Sequence, residues 1–163
     1  MRQGRPPREA IKRDFDSKVV EIKRVTRVVA GGKRMRFRAL VVIGDGRGRV
    51  GIGVKKGVDV SDAISKSTAA ARKSMITVAI TKEGSIPHAV KLKFKAAEVL
   101  LKPAKAGSGI IAGGPIRALV SLAGIKNISS KMLGSSNKIA NVHATYQALK
   151  GLKFASKDEK ANA

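Results

Sequence analysis

The sequence predicts an α+β protein made of two basic halves. Three observations point there. Residues 19–54 alternate β-branched or apolar runs with glycine-rich turns, the pattern of an antiparallel meander. An amphipathic helical stretch follows that meander. The pattern then breaks at Glu83-Gly84-Ser85 and restarts with new strands and helices. At 163 residues the chain suits one medium domain or two small ones.

Residues 1–16 mix Gly4, Pro6, Pro7 and charges without apolar periodicity, and are expected to be a flexible basic arm. Val19 to Val29 reads as the first strand, because β-branched residues fit a pleated surface. Gly31-Gly32 supplies the positive φ of a tight hairpin, and Phe37 to Ile43 returns as a near-continuous apolar strand. A second turn, Gly44 to Gly48, leads to a third strand over Arg49 to Val54. Asp59 or Ser61 can cap a helix running to about Met75, with Ala63, Ile64, Ser67 and Ala71 on one face. The first half is therefore expected to hold three strands and one helix over residues 17–82.

In the second half, residues 83–154, Val90, Leu92 and Phe94 alternate with Lys91, Lys93 and Lys95, a half-buried strand with a cationic outer face. Val99 to Lys102 can pair with it. Gly107 to Gly114 reads as a flexible loop opening a helix at Pro115, with Ile116, Leu119, Val120 and Ala123 inward and Gly124 as its stop. Ile128 to Met132 is a short strand. Asn137 can cap a last helix bearing Ile139, Val142, Tyr146 and Leu149 on one stripe, and residues 155–163 read as a disordered tail.

Charge narrows the function. Thirty-four Lys and Arg stand against eleven Asp and Glu, a net charge of +23. Self-repulsion of that size destabilises a compact fold unless a polyanion offsets it. Twelve of the cations lie between Lys18 and Lys56, where Glu21 and Asp45 are the only acids. A surface charged only for solubility intersperses both signs, so the first half is expected to bind nucleic acid. RNA is favoured over DNA, since no helix-turn-helix, zinc-finger or basic-zipper pattern is present. With four Phe, one Tyr and no Trp, contacts to phosphate and ribose should dominate over base stacking. The RNA-binding set is expected to be Arg24, Arg27, Gly31, Gly32, Lys33, Arg34, Arg36, Arg38, Arg47, Arg49, Lys55 and Lys56, with Ser136, Asn137 and Lys138 in the second half.

Other chemistries fit less well. Cysteine is absent, which removes disulfides and Cys-based zinc sites and suits a reducing compartment. His88 and His143, the two histidines, have no ligand spacing, so no metal and no cofactor is expected. Gly46-x-Gly48-x-x-Gly51 satisfies a dinucleotide fingerprint, yet it sits in a hairpin where that site needs a strand–turn–helix. A bared turn with Arg47 and Arg49 suits a phosphate backbone better. Gly113-Gly114-Pro115 opens a helix whose free amides attract anions. A small-molecule phosphotransferase using Gly107 to Gly114 is the alternative function, though only Glu98 lies near to hold magnesium. No apolar run approaches the ~20 residues of a membrane helix. The first sixteen residues lack a secretory or transit pattern, so a cytoplasmic protein is expected.

The blocks Arg24 to Arg34 and Phe37 to Gly51 resemble the signature of bacterial small-subunit ribosomal protein five. Ile86-Pro87-His88, Leu101 to Ala104, Gly107 to Ala118 and Gly134 to Asn137 are similar to that family's other blocks, in order along the chain. The resemblance implies a first domain like a double-stranded-RNA-binding fold and a second α/β domain with a left-handed βαβ crossover. It implies a non-enzymatic protein of the small ribosomal subunit that binds ribosomal RNA, links head and body, and touches small-subunit proteins four and eight without self-association. Gly31-Gly32-Lys33 matches the loop whose changes confer spectinomycin resistance in the family. Gly113, Gly114 and Arg117 fall in the block tied to protein four and to decoding accuracy. Lys55-Lys56-Gly57 and Asp59-Val60-Ser61 depart from the family's usual glycine-lysine-alanine and glutamate-valine-proline.

Overall fold

A computed structural model describes residues 15–153. The expected arm and tail therefore lie outside the described residues, apart from Phe15 and Asp16 at the end of the arm. Four strands form the first sheet in the order β1 (Asp16–Val29), β2 (Gly32–Gly44), β3 (Arg49–Gly57) and β4 (Met75–Thr77), all antiparallel. Helix α1 (Val60–Lys73) covers one face. The second sheet has the order β5 (Val90–Phe94), β6 (Ala97–Pro103), β8 (Ile128–Gly134), β7 (Ile110–Ile111). Strands β7 and β8 are parallel and joined through α2 (Gly114–Ala123), a βαβ unit, and α3 (Lys138–Lys150) lies against β5 and β6.

Three elements differ from the sequence reading. The first sheet has four strands, not three: α1 ends at Ser74, whose hydroxyl donates to Ile52 O at 2.6 Å and draws Met75-Ile76-Thr77 alongside β3. Strand β2 starts at Gly32 instead of Phe37. Lys33 to Arg36 carry no apolar pattern, but β1 supplies their partners residue by residue. The Gly107–Gly114 loop contains β7 and is held by the buried Asn127. That side chain accepts from the Gly107 and Gly109 amides at 3.1 and 3.2 Å and donates to Glu83 O at 2.8 Å. Asp59 does occupy the N-cap of α1 but makes no side-chain bond there; Asp62 accepts from Val58 N instead.

Glycine spacing on β3 sets how closely α1 packs. Gly51, Gly53 and Gly57 all face the helix, and a Cβ on Gly53 would lie 2.8 Å from Ala71 N. The serine opposite, Ser67, is fully buried; it donates to Ala39 O and accepts from Lys55 N, so its hydroxyl is satisfied on both sides. Ala39, Val41, Ile43, Ala63 and Ala71 form a small core on this face. The opposite face of the same strands, Leu40, Val42, Val50 and Ile52, packs into one larger core with Val99, Leu101, Ile116, Leu119 and Leu149. The two halves thus share their main hydrophobic interior.

Candidate nucleic-acid interface

Strands β1 and β2 run on beyond this core as a two-stranded ribbon. Register assigns its two faces, because residues directly opposite share a face. Arg34, Arg36 and Arg38 continue the face of Leu40 and Val42. Opposite them stand Arg27, Val25 and Lys23, and Lys56 on β3 lies beyond Arg38. Arg27 therefore faces Arg34, and Lys23, Arg38 and Lys56 form one row across three strands. Like charges in such positions destabilise a sheet. Counter-charge is scarce: among the described residues, none of Arg24, Arg27, Lys33, Arg34, Arg36, Arg38, Lys55 and Lys56 forms an ion pair, and in the row itself Lys23 alone has a partner, Glu21 at 3.3 Å, which Lys138 also approaches at 3.7 Å. A groove of about 270 Å³ runs along this face, lined by Val25, Arg27, Arg34, Arg36 and Lys56 among others. The other face bears Arg24, Lys33 and Lys55 beside Val28 and Met35. Gly31 and Gly32 turn the ribbon with φ of 89° and 151° and stand in open space.

The second turn is built differently from the bared loop the sequence suggests. Gly46 N donates to Leu122 O at 3.0 Å and Gly48 N to Ala123 O at 2.9 Å, so its amides cap the C-terminal end of α2. Asp45 Oδ1 accepts from the Arg47 and Arg49 amides, and its Oδ2 holds Arg49 Nε at 2.7 Å. Burial alone would raise the Asp45 pKa, but these bonds and the Arg49 charge outweigh it and hold the carboxyl below its ordinary value. Arg49 also stacks over the Phe15 ring at 5.3 Å. Arg47 remains exposed, without an ion pair among the described residues. The glycine fingerprint thus divides between a turn locked onto α2 (Gly46, Gly48) and the α1 contact (Gly51).

In the second half, Gly113 is the N-cap of α2 and Gly114 its first residue. Arg117 is exposed, and its Nη2 donates to Ile110 O at 3.0 Å, tying the helix to β7. Gly114 and Arg117 line a cleft of about 290 Å³ with Lys18 and Lys138. Asn137 caps α3 by accepting from Ile139 N at 3.1 Å, and Ser136 is exposed beside it. Of Ser136, Asn137 and Lys138, the structure brings Lys138 to β1: it lines the α2–β1 cleft and approaches Glu21 at 3.7 Å, while Ser136 and Asn137 lead into α3. His143 stacks on Phe94 with ring centroids 5.3 Å apart, and burial, then the Lys95 charge, lower its pKa. His88 is exposed and joins no cluster of metal-ligating residues among the described ones. Asn127 takes two amides of the Gly107–Gly114 loop, those of Gly107 and Gly109, which are then not free for a phosphate.

Sequence reasoning missed Asn127 altogether, and read Tyr146 as part of an apolar stripe without its hydrogen bond. Tyr146 Oη donates to Ser74 O at 2.6 Å, joining α3 to the end of α1 across 72 positions. Neither lies in a motif; only the Gly107-x-Gly109 context, one strand and one helix upstream, hints at Asn127. Replacing Asn127 by Ala should cost about 2–4 kcal/mol, since it removes three hydrogen bonds, each ordinarily worth about 0.5–1.5 kcal/mol net. Thermal unfolding measures that cost, and faster hydrogen exchange at Gly107 and Gly109 locates it.

Comparison with known proteins agrees with this architecture half by half. Residues 15–79 match the family model described as ribosomal protein S5, N-terminal domain, and residues 92–162 match ribosomal protein S5, C-terminal domain. This chain belongs to the ribosomal protein S5 family. Its relatives include the small ribosomal subunit protein uS5c of Rhodomonas salina, 48% identical over 143 residues, 88% of this chain and 85% of that one. The small ribosomal subunit protein uS5 of Gloeobacter violaceus is 49% identical over 143 residues, which span 88% of this chain and 64% of that longer protein. The uS5c of Guillardia theta is 46% identical over 140 residues, 86% and 83% of the two chains. S5 proteins are non-enzymatic, and the α+β sheets described above are those of the S5 domains.

Proposed function

We propose that this chain is a structural component of the small ribosomal subunit whose β1–β2 ribbon holds ribosomal RNA by its phosphates. The observation that carries this reading is the set of opposed cations on one ribbon face, of which Arg27, Arg34, Arg38 and Lys56 have no ion pair among the described residues, an arrangement that costs stability until a polyanion arrives. Residues 17–82 serve as the RNA-binding unit and residues 83–154 as the unit that meets body RNA and protein neighbours, so that the chain links head and body. Gly113, Gly114 and Arg117 form the contact with small-subunit protein four and help set translational accuracy; the cationic cleft of Lys18, Arg117 and Lys138 supports a partner carboxylate there. Protein eight is the second protein neighbour in this reading. The lack of cysteine suits a reducing compartment, here the cytoplasm.

Phosphate-dominated binding has a thermodynamic signature. If the chain engages ~6–10 phosphates, its affinity for a small-subunit ribosomal RNA transcript should fall by ~10³–10⁵ between about 50 and 200 mM salt. A flat response in a filter-binding titration would rule out phosphate as the main ligand.

A further inference from the structure

The second sheet, separate in its strand pairing from the sheet of the ribbon, leaves a charged face open. Pairing places Lys91, Leu100 and Lys131 in one row across β5, β6 and β8, and Lys93, Glu98 and Leu133 in the next. Lys102, Ser129 and Ile111 make a third row. The alternate residues of these strands, Leu92, Val99 and Leu101 among them, point into the core where α2 and α3 pack. The open face is left to solvent: all four lysines are exposed, and so is Ile111 at 57%. Its one acid, Glu98, is 2.8 Å from Lys91, which leaves Lys93, Lys102 and Lys131 without an ion pair among the described residues.

We propose that this sheet face is a second RNA-backbone surface, taking phosphate and ribose independently of the ribbon. The inference rests on the reading that the chain binds RNA, but not on where the ribbon binds. Composition separates RNA from a protein partner. Protein interfaces are depleted in lysine and enriched in aromatic residues, whereas nucleic-acid interfaces are polar and strongly positive. This face has four lysines in three rows and no aromatic side chain. Strand geometry spaces Lys91 and Lys93 by about 6.6 Å and sets Lys131 about 9.6 Å across from Lys91, a grid of point charges with Ser129 as a hydroxyl donor opposite Lys102 in the adjoining row. Stacking is unavailable here, so recognition runs through backbone and shape.

The experiment uses the full chain and a small-subunit ribosomal RNA transcript, titrated from about 50 to 200 mM salt. Three proteins are compared: the unaltered chain, a sheet variant (Lys93→Gln, Lys102→Gln, Lys131→Gln) and a ribbon variant (Arg34→Glu, Arg38→Glu). Glutamine keeps much of the aliphatic stem at exposed positions, and an Arg triple at the same three sites controls for folding. Loss of three phosphate contacts should reduce the slope of log affinity against log salt by about 2–3. The Arg triple should restore it. A sheet variant with unchanged slope beside a ribbon variant that binds weakly would overturn the second surface and leave the ribbon reading standing. A sheet variant that binds RNA normally but no longer co-sediments with small subunits would also overturn it, assigning the face to a protein. If neither variant loses affinity, both readings fail together.

Discussion

Gly124→Ala should destabilise the protein by about 3–6 kcal/mol, a large share of the ~5–15 kcal/mol that ordinarily separates folded from unfolded chains. Two costs combine at this position. Gly124 ends α2 with φ of 86°, a conformation that costs other residues ~1–2 kcal/mol. In addition, a Cβ there would lie 2.6 Å from the Gly46 carbonyl carbon, within the turn that caps the helix. Relief requires the turn to withdraw, which breaks the Gly46–Leu122 and Gly48–Ala123 hydrogen bonds and strands their donors and acceptors. Gly44 is pressed from the other side, with a Cβ 2.6 Å from the Leu122 carbonyl carbon, so Gly44→Ala should act on the same joint. Gly31→Ala isolates the conformational cost: its φ is 89°, but nothing lies within 4 Å. At about 2–4 °C per kcal/mol for a chain of this size, Gly124→Ala should lower Tm by ~6–24 °C and Gly31→Ala by only a few degrees. Amide exchange at Gly46 and Gly48 should rise in the first variant alone. Equal losses from both would mean that the joint contributes nothing.

That joint shows where sequence reading reaches its limit. Helix ends are local, so Gly124 as a stop and Asn137 as a cap are readable from residue type and position, and both are observed. Alternation is local too, which is why Val90, Leu92 and Phe94 are found facing the helices with Lys91 and Lys93 outside. What a turn does with its amides depends on a partner elsewhere in the chain. Gly46 and Gly48 look free in sequence and are spent on Leu122 and Ala123, some 75 residues away. Ribbon residues Lys33 to Arg36 fail in the opposite sense: polar and turn-like in sequence, they are held as strand by β1 alone. Strand β7 has only two residues, too few for any periodicity, and its position is set by the side chains of Asn127 and Arg117. For the candidate site, the cations and their sign are plain in composition. Which of them oppose one another is a matter of register, which a glycine turn allows but does not display.

That register makes Arg34→Glu with Arg38→Glu an expected separation of stability from binding. In the free protein both substitutions convert repulsion into attraction: Glu at 34 would face Arg27, and Glu at 38 would sit between Lys23 and Lys56. Cross-strand pairs of this kind are worth roughly 0.2–1 kcal/mol each, so thermal stability should hold or rise by up to ~2 kcal/mol. RNA binding should move the other way. Two phosphate contacts are lost and two carboxylates are set against the backbone, a like-charge cost of several kcal/mol that weakens affinity by about 10²–10³-fold. Both quantities belong on one preparation, with unfolding followed in buffer and affinity measured on the ribosomal RNA transcript at fixed salt. A protein that loses folding and binding together would make Arg34 and Arg38 structural residues. One that gains stability and keeps its affinity would move the RNA contact off this face, to the side of Arg24, Lys33 and Lys55. Gain of stability with loss of binding would mean that the ribbon carries its charge for the RNA and against its own fold.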